Sequence, residues 1–212
     1  MKNILLTGFE PFGGDALNPS EEIARQLNGL TVARHRIVGA LLPCVFGAAL
    51  KELKHLLKLH DPALVICLGL AGGRAEITPE RVAINIDDAR IADNAGQRPI
   101  DRPIVKDGPA AYWSTLPIKA IVQELRRREI PAAVSQTAGT FVCNHVFYGL
   151  MHELAQHHPG VRGGFIHVPY LPEQTADKPS LPYDKMIAGI TLAIEAAVEY
   201  RRDIRLAAGQ TS

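Results

Sequence analysis

Ala63-Leu64-Val65-Ile66-Cys67-Leu68-Gly69-Leu70 (63–70) is a run of eight residues with no charged side chain. A half-solvated strand alternates apolar with polar residues. An unbroken apolar run of this length is expected of a central parallel strand covered on both faces. Outward from it, Asn3-Ile4-Leu5-Leu6-Thr7-Gly8 (3–8) predicts a second buried strand, and residues 34–44 a third that stops near Pro43. Between these lie helical patterns. Ser20 is the expected N-cap of a helix with Glu21 and Glu22 in its first turn and Ile23 and Leu27 on one face. Leu50, Leu53, Leu56 and Leu57 mark an amphipathic helix over 46–60.

C-terminal to the central run, strands are expected at 80–91, 131–139 and 163–170, and helices at 118–128, 143–158 and 185–200. Strands alternating with helices imply a mostly parallel sheet with helices on both faces. The fold class expected is therefore α/β, a single-domain three-layer α/β/α sandwich. Residues 1–205 form that domain, and 206–212 are expected to be a frayed tail. Residues 92–117 and 171–184 are rich in Pro, Gly and Asp and are expected to be lids or binding loops.

The 212 residues suit one core. A formal net charge of +1 offers no electrostatic footprint for nucleic acid. No apolar run is long enough to span a bilayer, so no membrane partner is expected. Gly8, Glu10 and Pro11 interrupt the first apolar residues before a signal-peptide core can form. Three sparse cysteines, Cys44, Cys67 and Cys143, suggest reduced thiols in the cytoplasm.

Several cofactor patterns fail on inspection. Gly8 to Gly13 has the glycine spacing of a phosphate loop, but Gly14-Asp15 stands where Lys-Ser/Thr is required. Gly69-Leu70-Ala71-Gly72-Gly73 is not a dinucleotide fingerprint. His152-Glu153 begins a zinc-helix motif that Gln156 breaks. Neither a metal nor an organic cofactor is expected.

Cys143 lies at a strand-to-helix turn. There the helix dipole and free N–H groups should lower its pKa and could hold an oxyanion. Cys44 and Cys67 sit in or at the end of apolar strands and read as small buried hydrophobes. His167 interrupts the apolar strand Gly164-Phe165-Ile166 and is the natural base. His145 is a rival whose position, two residues after the thiol on one helix, turns it elsewhere. Spacing leaves the orienting carboxylate open among Glu10, Glu80, Asp87 and Asp88.

Four ordered segments together resemble the pyroglutamyl peptidase family. They are Gly8-Phe9-Glu10-Pro11-Phe12-Gly13-Gly14, Glu80-Arg81-Val82-Ala83-Ile84-Asn85, Gly139-Thr140-Phe141-Val142-Cys143-Asn144-His145 and Phe165-Ile166-His167-Val168-Pro169-Tyr170. The resemblance implies a Cys143–His167–Glu80 triad acting through a thioester. It also implies an oxyanion site made by Arg90 with the Cys143 N–H, and a lactam pocket lined by Phe9, Phe12, Phe141 and Val142. The family's Gly-Gln-Ala-Gly-Gly-Arg turn has Leu70 in place of Gln here. The implied substrates are peptides with an N-terminal pyroglutamate, and the implied assembly is a cytoplasmic homotetramer. Two rival readings are a nucleoside phosphorylase-like transferase, which lacks an evident phosphate site, and a non-catalytic small-ligand domain.

Overall fold

A computed structural model describes residues 1–209. The elements are β1 (Asn3–Phe9), α1 (Pro19–Leu27), β2 (Thr31–Val32), β3 (His35–Leu42), α2 (Ala48–His60), β4 (Leu64–Leu70), β5 (Thr78–Pro79), β6 (Val82–Ile84), β7 (Ala111–Trp113), α3 (Ile118–Arg127), α4 (Val142–His157), β8 (Arg162–Val168) and α5 (Tyr183–Glu199). Six strands form one sheet in the order β2-β3-β1-β4-β8-β5. The four central strands run parallel, and both edge strands run antiparallel to their neighbours.

Every residue of β4 is buried, as its composition demands. Successive side chains serve opposite faces: Leu64, Ile66 and Leu68 join one core, and Val65 and Cys67 the other. α1, α3 and α5 cover the first face and α2 and α4 the second, so the three-layer α/β/α arrangement holds. A Cβ at Gly8 would collide with the Ser20 carbonyl, and one at Gly39 with the Ala24 carbonyl. Glycine at these two strand positions lets α1 lie directly on β1 and β3.

Local details depart from expectation in three places. The N-cap of α1 is Asn18, whose Oδ1 accepts from the Ser20 N–H at 3.1 Å, with Pro19 opening the helix. Ser20 instead uses its Oγ to accept from the Phe9 N–H, tying the helix to the end of β1. The strand expected over 80–91 is only β6, which pairs with β7 apart from the main sheet. Past Ile84 the chain tightens, since the Ile86 N–H donates to the Ile84 carbonyl. Residues 131–139 form no continuous strand. Residues 131–135 do run parallel to 77–81, with the Ile77, Ala133, Ser135 and Arg81 N–H groups donating across. The ladder breaks into isolated bridges at Pro79, which has no N–H to give.

The chain beyond α5 is tied back to the body. Asp203 accepts from the Lys119 and Ala120 N–H groups, supplying α3 with the cap its own Pro117 cannot. Arg81 and Gln136 both donate to the Ala208 carbonyl. Of the tail expected to fray over 206–212, residues 210–212 lie outside the described residues.

Candidate active site

The C-terminal ends of β1, β4 and β8 open on the same edge of the sheet, where open α/β folds place their ligands. α4 begins over this edge. Gly139, at φ +76°, turns the chain, and Thr140 is latched to Asp88 by two bonds of 3.0 and 2.7 Å. The N-cap Phe141 offers no side-chain acceptor, and the first helical bond runs from the His145 N–H to the Phe141 carbonyl. The N–H groups of the opening turn are therefore free to meet a ligand.

Cys143 is half-buried in that turn. A Cβ at Gly69 would lie 2.9 Å from its sulfur, so the thiol rests on the backbone of β4. Gly69 is the register partner of His167 on β8. His167 in turn faces Thr78 on β5, and its Nδ1 lies 2.7 Å from Glu80 Oε1. With the ring nitrogen nearest the carboxylate donating, Nε2 carries the lone pair. Of the four carboxylates that spacing left open, Glu80 is the one that meets His167. Glu10 accepts from the Cys44 N–H and from Asn94, Asp87 meets His145, and Asp88 is exposed.

The lowered thiol pKa expected at a helix N-terminus is overturned. Burial pushes the Cys143 thiol up, Cys44 and Glu80 push it further, and Arg74 opposes them. Burial disfavours the thiolate charge, in opposition to the helix dipole that favours it. Cys44 and Cys67 are pushed up to about 12, also chiefly by burial.

His145 is held elsewhere. Its Nδ1 lies 2.9 Å from Asp87 Oδ1, and its Nε2 accepts from the Gly47 N–H at 3.0 Å. Both ring nitrogens are committed. Asn144, fully buried, clasps β6 by accepting from the Ile84 N–H and donating to the Ile84 and Ile86 carbonyls. The pairing of Asp87 with His145, the grip of Asn144 on β6 and the contact of Arg74 with Glu80 escaped sequence reasoning, since each joins segments distant in the chain.

The aromatic residues divide by depth. Phe12 and Phe141 are half-buried at the mouth, with ring centroids 6.0 Å apart, and Phe46 meets Phe141 edge-on at 5.4 Å. A third ring between Phe12 and Phe141 would need about 7 Å, two ordinary carbon contacts, so a ligand ring must part them or lie beside them. Phe9, Val142 and Leu70 are buried behind. Arg90 is exposed, two residues beyond the Asp88–Thr140 latch, and has no ion pair among the described residues. A cavity of about 770 Å³ behind Glu10 and Pro11 is lined by none of Cys143, His167 or Glu80. Among the described residues no cluster of His, Cys, Asp and Glu is placed to hold a metal ion, and no helix is long and apolar enough to cross a membrane.

A thiol at a helix N-terminus, above a sheet row that carries a buried His–Glu pair, is the architecture of a cysteine-type hydrolase on an α/β sandwich. A family model described as pyroglutamyl peptidase matches residues 2–200. The chain is 59% identical over 214 residues to a pyrrolidone-carboxylate peptidase of Cupriavidus taiwanensis, covering 99% of each chain. It is 53% identical to one of Bacillus mycoides, covering 100% of each. The solved pyroglutamyl peptidase I of Bacillus amyloliquefaciens superposes with a TM-score of 0.94 at 52% identity, covering 96% of this chain and 100% of that one. The pyrrolidone carboxyl peptidase of Thermococcus litoralis does so with a TM-score of 0.95 at 42% identity, covering 98% and 100%. The chain belongs to the pyroglutamyl peptidase family.

Proposed function

We propose that Cys143, His167 and Glu80 carry the hydrolysis by which this cysteine-type peptidase removes an N-terminal pyroglutamate from peptides. One observation supports these roles above the rest. The Cys143 sulfur lies on Gly69, the cross-strand partner of the histidine whose Nδ1 meets buried Glu80 at 2.7 Å.

His167 Nε2 takes the thiol proton as the sulfur attacks the pyroglutamyl carbonyl carbon, forming the S–C bond. Negative charge develops on the carbonyl oxygen and is met by the Cys143 N–H and by Arg90. As the intermediate collapses, the C–N bond breaks and His167 gives its proton to the leaving amine. Water, deprotonated by His167, attacks the thioester and releases pyroglutamate, and the proton returns to the sulfur. Burial disfavours the free thiolate, which is why the thiol needs His167 within reach as its base.

The lactam has no cationic amine, so it suits a wall of Phe9, Phe12, Phe141 and Val142 with backbone groups for its N–H and C=O. Leu70 cannot bond the lactam through its side chain, so any bond at that position comes from its backbone. A site that pairs the ring carbonyl discriminates against proline, which would leave a buried partner unmatched. We also propose a cytoplasmic homotetramer. Three free thiols suit a reducing compartment, and the exposed Ile100 and Trp113 offer apolar surface for assembly.

Cys143→Ala should abolish cleavage of a chromogenic pyroglutamyl amide while leaving circular dichroism and Tm near the wild-type values. Prolyl and glutamyl amides should remain uncut by the wild type. Full activity in Cys143→Ala would overturn the assignment.

A further inference from the structure

The turn after β4 ends in Arg74, whose guanidinium touches each segment that converges on the site. Its NH1 donates to Glu80 Oε1 at 2.9 Å and to Thr78 Oγ1 at 2.8 Å, and its NH2 donates to the Thr137 carbonyl at 3.3 Å. Thr78 is the cross-strand neighbour of His167, and Thr137 lies on the stretch that leads into the Cys143 helix. One planar fork thus spans the β4 turn, the Glu80 segment and the approach to the nucleophile.

Glu80 is fully buried, and both of its side-chain bonds fall on Oε1, one from His167 and one from Arg74. Its Oε2 is buried with no partner among the described residues. Three ionisable groups face this carboxylate: His167 from β8, Arg74 from the β4 turn and Cys143 from α4. Without Arg74, a single bond would fix the carboxylate, and either oxygen could take the imidazole. Among the described residues, the buried charge would also lose the one permanent counter-charge that reaches it.

We propose that Arg74 is a positioning residue for the reaction, holding Glu80 so that Oε1 sets the tautomer and tilt of His167. This rests on the assignment of Glu80 and His167 given above. Arg74 touches neither reacting atom, so its removal weakens base catalysis and leaves ground-state binding in place. It also draws the Cys143 thiol down against the effect of burial, so its loss slows thiol chemistry in the absence of substrate.

The experiment compares Arg74→Gln and Arg74→Lys with wild type on a chromogenic pyroglutamyl amide, with iodoacetamide alkylation of Cys143 as a second readout. Arg74→Gln should lower kcat about tenfold or more, a part of the roughly hundredfold that a positioned base contributes at the least. KM should stay within about twofold, and alkylation should slow in parallel. Arg74→Lys keeps the charge and one donor and should recover most of both rates. If Arg74→Gln does not fold, Arg74→Lys alone decides: a kcat within about fivefold of wild type supports the role, and a larger loss refutes it. In folded Arg74→Gln, an unchanged kcat, or a raised KM at constant kcat, would overturn it. So would equal losses in the Gln and Lys variants, which would make Arg74 a structural tie only. His167→Ala separates the two levels: an inactive His167→Ala beside a fully active Arg74→Gln sinks this inference alone, and an active His167→Ala sinks the assignment beneath it.

Discussion

Replacing Gly69 by alanine adds one methyl group directly beneath the nucleophile. The new carbon would lie 2.9 Å from the Cys143 sulfur, 2.8 Å from Phe165 Cζ and 2.9 Å from Phe165 Cε1. Ordinary contacts begin near 3.5 Å, so something must yield by about 0.6 Å or more. Phe165 is fully buried and packs against Phe9 and Phe147, with ring centroids 6.3 and 6.0 Å away. Cys143 is the less buried of the two residues and Phe165 is braced by those rings, so the Cys143 side chain takes most of the shift. A displacement approaching 1 Å at a reacting atom costs about 100-fold in rate, roughly 2.7 kcal/mol of transition-state stabilisation. Gly69→Ala should therefore lower kcat by about ten- to a hundredfold, with a smaller stability loss of about 1–3 kcal/mol from overpacking. Steady-state kinetics on a pyroglutamyl amide, run well below the variant's Tm, measures the first effect, and urea denaturation the second. A folded Gly69→Ala enzyme whose kcat stays within about threefold of wild type would refute the placement of the thiol on β4.

Asp87→Ala leaves the buried His145 Nδ1–H without its acceptor and should cost about 1–3 kcal/mol in urea denaturation. An unchanged midpoint would show that the pair does not anchor α4. Cys44 and Cys67 ionise near 12 in the folded chain and near 9 when unfolded, so the unfolded state releases their protons first. The stability tied to each is complete below pH 9 and declines between pH 9 and 12 by about 1.4 kcal/mol per unit. Cys67→Val should flatten that alkaline decline. A variant as pH-sensitive as wild type would place the thiol in a wetter setting than its burial indicates.

Much of the fold was legible because burial on two faces leaves a plain mark. The runs at 3–8 and 63–70 could be little other than central strands, and α2, α3 and α5 lie within two residues of their periodic patterns. What escaped depended on partners distant in sequence. Residues 80–91 alternate like a strand, yet their second half turns away because Asp87 reaches His145 and Asn144 clasps the backbone of β6. The 131–139 ladder failed at a proline on the opposite segment, which local propensity does not register. The site divided in the same way. Cys143 stood out by its place at a strand-to-helix turn, and His167 as a polar group inside an apolar strand. Glu80 did not, since one acid among four carries no local mark until a cross-strand contact singles it out. The thiol's pKa was misread because the dipole is visible in a helix pattern and desolvation is not.

The long reach from α3 to Asp203, 84 residues on, has a consequence for biosynthesis. A ribosome finishes β8 and α5 before it delivers the residue that closes the first turn of α3. It delivers later still the Ala208 carbonyl that Arg81, next to Glu80, takes up. A nascent chain halted after α5 holds every proposed catalytic side chain but lacks both fastenings. Synthesis through Ala208, rather than arrival of the nucleophile, thus seals the segment that carries the carboxylate.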